Sequence, residues 1–117
     1  MLFHTINIHG KEYKCALNMR ALVEAEKRLG ENPLDMLMSV TQNALPSFEK
    51  LMVLFHESLV KYNHGITMDE VYDIYDEYVE DGRTFADFMA ELIEIMKTSG
   101  LIGEEKKGKG KIKSEKN

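Results

Sequence analysis

Helix start and stop signals recur at short intervals along this chain, and they limit what it can fold into more than any other feature. Asn18 precedes an apolar-periodic segment that Gly30 ends. This predicts a helix over 19–29, with Asn as N-cap and Gly in the left-handed position beyond the last turn. Asn32-Pro33 restarts a short helix, with Asn as cap and Pro at the first helical position. Pro46 opens a third, running to about Asn63, where Asn63-His64-Gly65 stops it. Thr67 followed by Glu70 is a capping box and predicts a helix over 68–80, which Gly82 ends. Thr84 with Asp87 is a weaker version of the same signal. It starts a helix over 85–98, closed by Gly100 and Gly103.

Each segment carries an apolar stripe at helical spacing. In the first it is Met19, Leu22, Val23 and Leu29, interrupted by Glu26; in the second, Leu34, Leu37, Met38 and Thr41 face inward. The third is apolar over a broad surface (Phe48, Leu51, Met52, Leu54, Phe55, Leu59, Val60), which predicts the central helix of the core. The fourth sets Val71, Ile74, Tyr75, Tyr78 and Val79 against a strongly acidic opposite side. The fifth offers Phe85, Phe88, Met89, Leu92, Ile95 and Met96.

The segment before the first helix, residues 2–17, alternates as a strand pair does. Gly10-Lys11 fits a type II′ turn, in which Gly comes first, and places His9 opposite Glu12. That register pairs Ile8 with Tyr13, Ile6 with Cys15 and His4 with Leu17 on one face. An isolated hairpin is marginal in water, so the apolar face must pack on helices. The fold class is therefore mainly α with a small β part: an N-terminal β-hairpin packed on a bundle of about five helices.

At 117 residues the chain fits one domain. Its net charge of −5 hides two parts. Residues 104–117 hold six lysines and three glutamates, a balance of +3, which leaves −8 on residues 1–103. The acidic part repels phosphate backbones, so no nucleic-acid partner is expected. The 104–117 segment alternates Lys with Gly and has only Ile112 as a large apolar residue, so it is expected to be a disordered tail. The start of the chain lacks the basic and apolar regions of a signal peptide, and no run of about 18 apolar residues predicts a membrane span. The single cysteine, Cys15, suits a reducing cytoplasm.

The search for chemistry returns no catalytic, cofactor-binding or metal site. His4, His9, His56 and His64 show no helical zinc spacing, and no cysteine pair is available. Cys15 falls on the apolar hairpin face, where a thiol is inert. The acidic run from Asp69 to Asp81 lacks calcium-loop spacing and reads as a solvated helix face. The eight methionines are more suggestive, because Met is over-used on surfaces that adapt to apolar partners. Met36 and Met38 in the second helix, and Tyr72 and Tyr75 in the fourth, are the candidate partner-binding residues. Tyr offers a rigid amphipathic contact, and the competing reading for Tyr75 is core packing.

The order of elements carries a family resemblance. A short hairpin leads into residues 17–30 (LNMRALVEAEKRLG) and then Asn32-Pro33-Leu34-Asp35; later come residues 65–78 (GITMDEVYDIYDEY) and an amphipathic helix ending at Ser99-Gly100. Over about residues 2–102 this resembles the tail assembly chaperones of long-tailed bacteriophages and related prophages. The resemblance implies a protein that binds the tape measure protein, keeps it soluble and helps recruit the tail tube protein. It also implies action in the host cytoplasm and absence from the mature virion. In many members a ribosomal frameshift extends the chain, and the Lys106-Lys107 surroundings are where a short, unframeshifted product would diverge. Self-association suits a small chain with this much apolar helix, although no heptad sets a subunit number. A competing reading is a small helical regulatory adaptor that uses the same Met-rich surface. An enzyme would require a deep polar pocket holding His56 or His64 beside carboxylates.

Overall fold

The computed structural model describes residues 2–39 and 44–103. Strands β1 (His4–Ile8) and β2 (Lys11–Cys15) form an antiparallel hairpin. Five helices follow: α1 (Met19–Leu29), α2 (Pro33–Met38), α3 (Phe48–Leu59), α4 (Met68–Glu80) and α5 (Phe85–Thr98). The predicted class, mainly α with a small N-terminal β part, is the one observed. Thr41 and the 104–117 tail lie outside the described residues.

Local cap chemistry explains why the helices begin where they do. The side chains of Asn18, Asn32, Ser47, Thr67 and Thr84 each accept a backbone N–H from the first turn of the helix that follows. Thr67 with Glu70 and Thr84 with Asp87 are both complete reciprocal boxes, so the shorter Asp serves as well as Glu in the second. At the third helix the sequence reading is corrected. Ser47, rather than Pro46, holds the cap by accepting the Lys50 N–H at 3.1 Å, and the helix ends at Leu59, short of Asn63. Asn63 terminates it from outside: its backbone and side-chain N–H groups both donate to the Leu59 carbonyl.

The hairpin register is also corrected. His4 pairs with Cys15, Ile6 with Tyr13 and Ile8 with Lys11, so the two-residue turn is His9-Gly10. Both turn residues have positive φ, 50° and 81°, as a type I′ turn requires. Histidine is among the few non-glycine residues that enter this region readily. The slip is by two residues in the pairing sum, and side chains alternate with a period of two. Ile6, Ile8, Tyr13 and Cys15 therefore keep the buried face that the sequence assigns them.

Helix α3 is the centre of the packing. It touches α1, α4 and β2, and buries Leu51, Leu54, Phe55 and Leu59. The buried face of α1 is Ala21, Ala25 and Leu29, spaced by four, whereas Met19 and Val23 are exposed. The two alanines sit where α1 packs on α3, and small side chains allow a close approach there. Glu26 then lies outside the contact and interrupts nothing. Among the described residues Glu57 is the one buried charged side chain, and Arg28 of α1 pairs with it at 2.7 Å.

The segment after the hairpin is clamped between α3 and α5. Ala16 N–H donates to the Ser58 carbonyl at 2.8 Å, and Leu17 N–H donates to Ser99 Oγ at 2.9 Å. Buried backbone donors need such partners, so these two bonds place the hairpin against the bundle. Along the same seam His4 Nε2 lies 2.6 Å from Glu91 Oε1, and the Tyr78 hydroxyl donates to Glu91 Oε2 at 3.0 Å.

Candidate functional site

The first turns of α3 and α5 and the middle of α4 enclose an apolar groove of about 740 Å³. Leu45, Phe48 and Met52 form one wall, Tyr72 and Tyr75 the other, and Phe85 closes one side. Glu49 and Asp76 are its only charged lining residues among the described ones, and both are acidic. A size of this order, mostly apolar with a few polar groups at the edge, is typical of binding clefts.

The groove follows from where the caps fall. Ser47 and Thr84 each stop the chain one residue before a phenylalanine, so Phe48 and Phe85 occupy the first helical positions. Side chains there have no preceding turn to lie on and project from the helix end. The two rings meet edge-on, 5.6 Å between centroids at 86°. Even so, Phe48 remains 72% exposed and Leu45 65%. Tyr75 packs edge-on to Phe88 at 5.0 Å, and Phe88 in turn packs on Phe55 at 5.1 Å. The groove floor is thus continuous with the core. Burial, with a lesser contribution from Asp76, raises the Tyr75 hydroxyl above its ordinary pKa and keeps it neutral.

Of the four candidate partner-binding residues, Tyr72 and Tyr75 line this groove together. Met36 does not. It is 2% exposed and belongs to the core, because the one-and-a-half turns of α2 bury Pro33, Met36 and Leu37 as their inner face. Met38, assigned to the inner side in the sequence, is 42% exposed and lies on α2 outside the groove. Leu45, Phe48, Met52 and Phe85 were not singled out as partner residues. Nothing in the spacing marks two of them, because Phe48 and Phe85 fall in register with their helix stripes (48, 51, 52, 55 and 85, 88, 89, 92).

Smaller features have local roles. Met19, Leu22, Val23 and Leu34 line a second apolar hollow of about 210 Å³ beside Leu101. His56 bridges elements: one ring nitrogen lies 2.9 Å from the Ile66 carbonyl, and the other lies 2.8 Å from Arg28. His64 borders an open hollow of about 420 Å³ with Glu70, Asp73 and Glu77. Glu70 is held there by the Thr67 backbone N–H and hydroxyl, which lower its pKa, so it serves the cap. Cys15 is fully buried, and burial pushes its thiol up to about 12. It stays protonated at neutral pH and is not a nucleophile. Glu91 is the other perturbed carboxyl. Burial works to raise its pKa, but the hydrogen bonds from His4 and Tyr78 outweigh that and hold it below the usual carboxylate range.

Among the described residues no group of three His, Cys, Asp or Glu side chains is placed to hold a metal ion, and no helix is long and apolar enough to cross a membrane. No curated protein and no solved structure matches the chain. Residues 2–117 do match one sequence family, and on that match the chain belongs to DUF6096, a family of unknown function.

Proposed function

We propose that this protein is a binding protein, not a catalyst, and that it serves as a tail assembly chaperone of a long-tailed phage or prophage. In this role it would hold the tape measure protein soluble in the host cytoplasm until tail tube subunits replace it. The observation that carries the proposal is the groove between α3, α4 and the start of α5, with Phe48 and Tyr72 exposed at its walls. Exposed aromatic residues gathered around a cleft mark an interaction site, and an amphipathic helix laid into such a groove is a recurrent mode of recognition. The phage assignment rests on the pattern of helix starts and apolar positions over residues 2–102. A long, partly helical client that would aggregate alone is the kind of partner this groove suits.

The test is co-expression with fragments of a tape measure protein from the same genome. The fragments should stay in the soluble fraction and co-purify with the wild-type chain, but not with a Phe48→Ser/Tyr72→Ser variant. Fragments that precipitate equally with and without the protein would remove the chaperone reading. A regulatory adaptor would use the same groove; a gene lying away from the tail genes would favour that alternative.

A further inference from the structure

Resting on the reading of the groove as the client site, we infer the chemistry of its occupant: an amphipathic helix whose apolar stripe is flanked by lysine or arginine. The argument is one of charge. Both charged residues lining the groove, Glu49 and Asp76, are acidic. Helix α4, which forms one wall, carries six carboxylates and no basic residue; Asp76 lines the groove, whereas Glu70, Asp73 and Glu77 line the separate hollow beside Lys11 and His64. On α3, Lys50 is paired with Glu31. Among the described residues the groove therefore presents an apolar floor with an acidic rim.

Shape points to a helix. Phe48 and Met52 are spaced by four on α3, and Tyr72 and Asp76 by four on α4, so each wall runs for at least one turn, about 5 Å, along its own helix. Other occupants fit less well. A second copy docked through the same face would set the Glu49 and Asp76 carboxylates of two copies against one another, since a two-fold interface repeats the same patch. The chain's own 104–117 segment has the charge but offers only Ile112 to an apolar floor.

The experiment uses the full 117-residue chain and two synthetic peptides with the same leucine stripe at i, i+3, i+4 and i+7. One carries lysine at the flanking positions and the other glutamate. The lysine peptide should bind roughly tenfold more tightly at low salt. The preference should vanish near 1 M salt, where screening acts within about 3 Å. A Glu49→Lys/Asp76→Lys variant should lose or reverse the preference, and Glu49→Gln/Asp76→Asn should weaken it if the first variant folds poorly. Phe48→Ser/Tyr72→Ser should abolish binding of both peptides. Equal affinity for the two peptides, lost on Phe48→Ser/Tyr72→Ser, would overturn the charge inference and leave the groove reading standing. Binding unaffected by that double substitution, or no binding at all, would overturn both. Self-association of the chain that Phe48→Ser abolishes would identify a second copy as the occupant and overturn the inference likewise.

Discussion

The seam between the hairpin and α5 and the groove between α3 and α4 lie on either side of one ring, Phe88, and they are built on opposite principles. Along the seam polar side chains pair with one another and with backbone: Glu91 takes both His4 and Tyr78, and Ser99 takes the Leu17 N–H. At the groove Phe48 and Tyr72 are left exposed, and the charged groups lining it among the described residues are carboxylates. A seam of matched hydrogen bonds fixes one geometry, because any shift strands a buried polar group. Apolar contacts are less directional, so the groove can accept side chains of varied shape. The difference separates the part of the molecule that holds the fold from the part left available to a partner.

The largest expected effect comes from removing what the two regions share. Phe88 is 1% exposed and packs on Phe55, Tyr75 and Tyr78. Phe88→Ala should cost about 3–5 kcal/mol, read as a lowered urea midpoint, and should damage seam and groove together. Next is the seam alone. Glu91→Ala strands the His4 ring and the Tyr78 hydroxyl and should cost about 1.5–3 kcal/mol, with the groove's binding retained in whatever fraction remains folded. The pH dependence sharpens this. The folded-state pKa of Glu91 is depressed, so its stabilising contribution is present above the ordinary carboxylate pKa and is lost as pH falls through the lower folded value. Glu91→Gln should therefore flatten the acid side of a stability-versus-pH curve and leave its alkaline side parallel to wild type.

Smaller again is Thr84→Ala. It removes the cap that sets Phe85 at the groove edge and should cost about 1 kcal/mol, weakening peptide binding while the Glu91 contacts, two turns further on, persist. The smallest effect on stability belongs to the groove itself. Tyr72→Ser should change unfolding by less than about 0.5 kcal/mol, since the residue is exposed and lies outside the core, yet reduce partner binding. A Tyr72→Ser variant that loses stability as Phe88→Ala does would erase the contrast between a structural seam and a free groove.

Much of the fold was legible because helix caps are local. Asn18, Asn32, Thr67 and Thr84 each act on backbone groups two or three residues away, so residue type and spacing were sufficient evidence for a start. The hairpin's buried face was legible for a similar reason, since a period of two survives a register error of two. The register itself was misread because His9 entered the left-handed region and moved the turn back by one residue. The α1 stripe was misread because large apolar residues were taken as the inner face, whereas the close packing of α1 on α3 selects Ala21 and Ala25.

The candidate site was only half legible. Tyr72 and Tyr75 were named from their chemistry, but nothing in their spacing shows that Tyr75 meets Phe88 while Tyr72 meets solvent. Met36 and Met38 read alike in the sequence, two residues apart on a short helix, and the packing of α2 buries one and exposes the other. Element type, order and most boundaries were thus determined by the sequence itself, through hydrogen bonds made within a few residues. Which aromatic residues fill the core and which line an open groove was decided only by tertiary structure, because burial depends on what a distant segment brings to the other side.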